Sequence, residues 1–211
     1  MSERTRIRRL PERAVAEREV IHTIVDEALI CHVGFIREDG PFVVPTIHGR
    51  VGDTLYLHGS VAAGNLRALR QGIDVCVTVT IVDGIAAARS LFEHSMNYRS
   101  VVVFGRTRLV TDGDERLAAF RAISDHVIPG RWDDARQPNR EEDRQTTLIA
   151  IPIDEVSAKV RTGGVDDDTA DYGLGVWAGV IPLSIVAGEP LPEPDLEPGV
   201  ALPGYIRHWH R

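Results

Sequence analysis

The 211-residue chain predicts a mainly β protein, an antiparallel barrel with helices packed outside it. Three observations carry this. Several segments alternate in side-chain character with a period of two, most strictly VCVTVTIV (75–82), as a strand with two distinct faces requires. Strand-like segments follow one another through short Gly- and Asp-containing turns, which is how antiparallel strands connect. Helical patterns are few and do not alternate with strands, which argues against a doubly wound parallel sheet and its crossover helices.

The elements follow in order. Val20, Ile21, Ile24, Val25, Ala28 and Leu29 recur at three- and four-residue spacing and predict an amphipathic helix over 12–29, with Pro11 at its first turn. The period then becomes two. ICHVGFI (30–36), PFVVPTIH (41–48) and LYLHG (55–59) read as strands joined at Glu38-Asp39-Gly40 and at 51–54. Residues 60–72 predict a short helix stopped by Gly72, and Asp83-Gly84 predicts a turn after the strand 75–82. SVVVFGRTRLV (100–110) is the longest β-branched run, and 114–127 predicts a second helix ended by Pro129-Gly130. Strands are predicted again at 148–153, 158–162 and 176–183. Residues 1–187 read as one domain and 188–211 as a Pro-rich tail without regular structure, lying over the surface or against a partner chain.

Composition narrows the function. The net charge is −7, which argues against broad nucleic-acid binding. No apolar run approaches the ~20 residues of a membrane helix, and the cationic N-terminus lacks an apolar stretch behind it. Cys31 and Cys76 sit in apolar stretches without metal-ligand spacing and read as buried free thiols. The expectation is a soluble cytoplasmic protein. Of its 24 cations, 23 are Arg and one is Lys159.

Familiar catalytic signatures are missing: there is no GxGxxG after a strand, no Walker lysine, no GxSxG and no HExxH. His208-Trp209-His210 reads as a solvated tail, and Asp166-Asp167-Asp168 as an exposed acidic loop. Two segments carry more chemistry. At His58-Gly59-Ser60 a strand meets a short helix; small residues there, with Gly64, Asn65 and Arg67 beyond, let backbone N–H groups approach an anion. In HSMNYRSVVVFG (94–105), His94, Ser95, Asn97, Tyr98, Arg99 and Ser100 crowd polar groups at a strand entrance. Arg99 suits a phosphate or carboxylate, and Tyr98 offers a flat face. Trp177, between small residues, suits a planar ligand. The set suggests a planar, phosphorylated ligand.

At these residues the sequence resembles the pyridoxamine 5'-phosphate oxidase-related flavin-nucleotide-binding proteins, in the branch that includes nitroimidazole-resistance proteins. The pieces are CHVGFI, PFVVPT, GDTLYLHGS, DVCVTVT, HSMNYRSVVVFGR, PGRW, KVRTG and VWAGVIPL, in family order from about residue 30 to residue 183. The resemblance implies a six-stranded split β-barrel of Greek-key type binding FMN, and a homodimer with two flavin sites at the subunit interface. It implies that His58, Gly59 and Ser60 line the ring and ribityl side. Pro45 and Thr46 would face the ring, and Asn97, Tyr98, Arg99 and Ser100 would reach the flavin. Lys159, Arg161 and Trp177 match late motifs contributed by the partner subunit. Gly64 and Asn65 stand where the oxidases carry basic phosphate-binding residues, so Arg67 or the helix N-terminus would have to compensate.

The expected function is an FMN-dependent oxidoreductase acting on a small planar acceptor, with His58 as a proton donor. Competing expectations are a flavin carrier or sensor without turnover, and a split barrel using a deazaflavin or haem.

Overall fold

The computed structural model describes residues 2–210. The helices and strands are, in chain order, β1 (Ala14–Val15), α1 (Arg18–Glu27), β2 (Cys31–Arg37), β3 (Gly40–Thr46), β4 (His48–Val51), β5 (Thr54–Ser60), α2 (Gly64–Leu69), β6 (Asp74–Ala87), β7 (Ser95–Arg106), β8 (Arg108–Leu109), α3 (Gly113–Val127), α4 (Arg140–Arg144), β9 (Thr146–Pro152), β10 (Glu155–Arg161), β11 (Gly179–Pro182) and α5 (Gly204–Arg207). The chain divides into two compact units. One comprises the residues up to Pro45, Asp74–Gly105 and Ile153–Ser184; the other comprises Thr46–Ile73, Arg106–Pro152 and the residues from Ile185 on.

The first unit holds a seven-stranded sheet in the order β1-β10-β7-β6-β2-β3, with β11 paired to β6. Its core is the inward row of each strand: Val33 and Phe35 of β2, Val75, Val77 and Val79 of β6, Val101 and Val103 of β7. Helix α1 closes this core with Ile21, Ile24 and Val25, all buried. The helix is shorter than the predicted 12–29. Ala14 and Val15 instead pair with Lys159 and Ala158 of β10. Backbone pairing at a sheet edge satisfies those peptides as well as a helical turn would.

The predicted turn at Asp83-Gly84 is absent. Strand β6 runs through it, and Gly84 lacks the positive φ that a tight hairpin turn needs. The glycine serves close approach: a Cβ on Gly84 would sit 3.0 Å from the Ile181 carbonyl oxygen of β11. The Asp-Gly pair is therefore a place where a neighbouring strand comes near, a context invisible in local sequence.

The second unit holds the sheet β4-β5-β9-β8. Leu55 and Leu57 of β5 and Leu148, Ile149 and Ile151 of β9 are buried. Helix α3 begins where predicted, because the Asp112 side chain accepts a hydrogen bond from the Glu115 N–H at 2.9 Å. Its Ala119 and Ile123 pack with Tyr56, Val110 and Leu148. At Gly49 the α3 backbone comes so close that a Cβ would lie 2.6 Å from the Ile123 nitrogen. Predicted helix 60–72 contracts to α2, six residues held by buried Leu66 and Leu69.

The chain is thus mainly β and antiparallel, as expected, but with more than six strands. Short pieces such as β1, β8 and β11 add to existing strands by tertiary pairing. Among the described residues, no helix is long and apolar enough to cross a membrane.

Candidate functional site

The first unit brings together the late polar residues. Strands β7 and β10 are antiparallel, with Tyr98 opposite Arg161, Arg99 opposite Val160 and Ser100 opposite Lys159. Residues some sixty apart in sequence thus share one ladder.

The cations in this cluster are engaged by the protein itself. Arg161 is 4% exposed. Its guanidinium donates to Asn97 Oδ1 at 2.6 Å, to the Gly164 carbonyl at 2.9 Å and to Asp166 Oδ2 at 3.2 Å. Asn97 in turn donates to the Gly163 carbonyl at 2.9 Å. The pair thereby shapes the loop after β10. Arg99 grips Asp83 with Nε and Nη2 at 2.9 and 2.8 Å, and its third nitrogen reaches Glu27. The Asp83 hydrogen bonds raise the Arg99 pKa still further above its ordinary value. Lys159 Nζ donates to the Arg9 carbonyl at 2.8 Å. Two carboxylates neutralise Arg99, so an incoming anion must compete with both.

Trp177 is 66% exposed. Its indole lies on Gly179, where an added Cβ would be 2.9 Å from the ring. A flat aromatic face is thus open beside β11. One pairing was not legible in sequence. Arg89 binds Asp167 through both its N–H and its Nη1, each at 2.7 Å. Its guanidinium also lies 5.3 Å from the Tyr172 ring centre. The Asp167 side chain is only 1% exposed, so the acidic stretch 166–168 is not uniformly solvated. Among the described residues no group of three or more His, Cys, Asp or Glu is arranged to hold a metal ion.

The second unit holds the His58 segment. Strand β5 pairs with β9 through His58–Leu148, Gly59–Thr147 and Ser60–Thr146. His58 Nδ1 is buried, and no protein atom hydrogen-bonds to it. Burial lowers the His58 pKa, so the ring is neutral at neutral pH. A neutral imidazole with a buried, unsatisfied nitrogen is costly without a partner and suits an exogenous polar or metal-bearing group. Gly59 packs closely on α2: a Cβ there would meet Leu66 Cδ2 at 3.3 Å. Ser60 Oγ accepts from the Ala62 N–H at 3.2 Å and so turns the chain toward α2. Gly64 and Arg67 are exposed and Asn65 is half-buried. Pro45 and Thr46 form the end of β3, where the Thr46 hydroxyl donates to the Ile47 carbonyl at 3.3 Å.

The C-terminal tail departs from the solvated reading. The Trp209 indole N–H donates to the Val127 carbonyl at 2.8 Å. The Tyr205 hydroxyl accepts from Arg131 Nη1 at 3.0 Å and donates to Asp134. Residues 188–203 carry no helix or strand, as expected, but aromatic side chains beyond them fasten the end of the chain.

The model of the family described as pyridoxamine 5'-phosphate oxidase matches residues 17–160. The chain belongs to the pyridoxamine 5'-phosphate oxidase family. Two solved structures resemble this family member over nearly its whole length. The flavocytochrome Anf3 from Azotobacter vinelandii is 37% identical with a TM-score of 0.90, the match covering 98% of this chain and 96% of that one. The FAD and haem binding protein from Mycobacterium smegmatis is also 37% identical, with a TM-score of 0.89 and coverage of 94% and 97%. A Bacteroides thetaiotaomicron protein assigned to 5-nitroimidazole antibiotic resistance is 26% identical with a TM-score of 0.59, covering 70% of this chain and 86% of that one. No curated protein matches. The resemblance read from motifs such as HSMNYRSVVVFG holds, and with it the split-barrel fold class of the family.

Proposed function

We propose that this chain is a flavin-binding redox protein that takes FAD and a haem as a second group. The observation that carries the reading is the match, at 37% identity and nearly full length, to a flavocytochrome and to an FAD and haem binding protein. A bound flavin supplies hydride and single-electron transfer, and haem iron supplies single-electron transfer.

The residues fit such a protein. Trp177 presents an exposed indole face suited to stacking on a planar ring. His58 presents a neutral imidazole whose buried Nδ1 lacks a protein partner. It can take one hydrogen bond from a heterocycle and hold or pass a proton there. FAD replaces the FMN expectation for an electrostatic reason. The terminal phosphate of FMN concentrates a charge of about −1.5 to −2 on one group. Here Gly64 and Asn65 bring no cation and Arg99, Arg161 and Lys159 are already engaged, which leaves exposed Arg67 of α2 to meet the phosphate. A diphosphate spreads its charge over two groups and asks less of any one point.

The homodimer remains part of the reading. Leu91 and Phe92, adjacent in the chain, are 86% and 89% exposed, apolar side chains that a second copy would cover. The decisive experiment is the absorbance spectrum of the purified protein, followed by chromatography of the released cofactor. Flavin bands together with a haem Soret band, and FAD in the supernatant, are expected. Release of FMN or a deazaflavin, or a colourless protein that refuses FAD, overturns the proposal. Bleaching by a nicotinamide cofactor and reoxidation by a nitroaromatic or quinone separates an enzyme from a carrier.

A further inference from the structure

We infer that the haem sits in the C-terminal cavity of the second unit, with His210 Nε2 as iron ligand and Arg207 pairing with the haem carboxylates. This rests on the haem reading above and deepens it by placing the group.

Coverage points to this part of the chain. The family model ends at residue 160, and the nitroimidazole-resistance protein matches only 70% of this chain. The flavocytochrome and the FAD and haem binding protein match 98% and 94% of it. The match to the haem-bearing pair therefore extends well past residue 160, where the family model stops.

That segment builds a cavity of about 600 Å³, within the usual range for cofactor sites. Its walls are Ile128 from the end of α3, Ile185 and Val186 from the extended segment, and Ile206 and Trp209 from the chain end. Arg207, His210 and one carboxylate, Glu189, also line it. A haem is a broad apolar plate with two carboxylates on one edge and an iron that takes an imidazole. Apolar walls, one guanidinium and one imidazole answer those three needs. Ile185 and Val186 are 53% and 81% exposed, so a plate lying against them would cover apolar surface now facing water.

The tautomer of His210 agrees. Its Nδ1 lies 2.8 Å from the His208 carbonyl oxygen. A carbonyl can only accept, so Nδ1 carries the proton and Nε2 presents its lone pair. Backbone hydrogen bonding of the other nitrogen is how a ligating histidine is usually oriented. The cavity wall is also fastened, through Trp209 to Val127 and Tyr205 to Arg131. The rival ligand is His58, whose Nδ1 is buried without a partner.

The test is titration of hemin into flavin-loaded protein, read by the Soret band and by bound iron. Wild type, His210→Ala, His210→Met, Arg207→Ala and His58→Ala are compared, with flavin content and thermal melting as checks of folding. We expect His210→Ala to weaken hemin binding at least tenfold with flavin content unchanged. His210→Met should bind with an altered Soret position, and Arg207→Ala should weaken binding several-fold without a spectral shift. Wild-type hemin binding in His210→Ala, or loss confined to His58→Ala, overturns the placement while leaving the haem reading intact. A wild-type protein that takes no hemin overturns both.

Discussion

Arg99 and Asp83 form a two-pronged ion pair, with guanidinium nitrogens 2.9 and 2.8 Å from the two carboxylate oxygens. The pair joins β7 to β6, and Glu27 at the end of α1 completes it. Lysine has one ammonium and cannot make both contacts. Arg99→Lys should cost about 1 kcal/mol, the upper range for a partly exposed pair. Denaturant unfolding would show it as a lower midpoint at unchanged slope. Loss of flavin affinity without loss of stability would instead give Arg99 a direct role at the ligand.

Helix α3 comes close to the sheet at Gly49. An alanine there would put its Cβ 2.6 Å from the Ile123 nitrogen and 2.7 Å from the Ala122 carbonyl carbon. Backbone cannot yield as a side-chain tip can. Gly49→Ala should destabilise by about 1–3 kcal/mol, read as a lower melting temperature. A melt equal to wild type would mean that α3 sits farther from β4.

His58 makes the stability of the protein without bound ligand depend on pH. Burial lowers its pKa below the ordinary 6.5. The unfolded chain therefore binds this proton more readily than the folded one. The contribution of His58 is fully present above pH 6.5 and is lost as pH falls below that value toward the folded pKa. His58→Gln, which cannot titrate, should show a smaller fall in melting temperature between pH 7 and pH 5 than wild type. Parallel curves for the two proteins would place the proton elsewhere.

Cys31 is buried, and burial pushes its thiol up to about 12. The thiolate, which is the reactive form, is thus scarce at pH 8. Alkylation under native conditions should leave Cys31 unlabelled, and labelling should appear once denaturant is added. Peptide mass spectrometry reads the site directly. Native labelling within minutes would show that β2 opens readily.

The sequence by itself determined the strand character, the start of α3 and the family motifs, because these rest on local rules. A period of two marks Val75, Val77 and Val79 as one buried row, and the helical pattern of 114–127 is carried by neighbours within a few residues. His58, Asn97 and Arg161 stand out by residue type alone. What the local pattern could not carry was who faces whom. Whether Asp83-Gly84 turns or runs straight depends on β11, about a hundred residues away, pressing on Gly84. Whether Arg99 and Arg161 meet a ligand or the protein depends on Asp83, Asn97 and Asp166, brought near by sheet register and loop path. The C-terminal tail reads as Pro-rich and without regular structure, yet Trp209 and Tyr205 find partners at Val127 and Arg131, and Trp209 lines a cavity. Periodicity is a property of neighbours in sequence. Desolvation, pairing of charges and cavity formation are properties of neighbours in space, and the tertiary fold alone decided them.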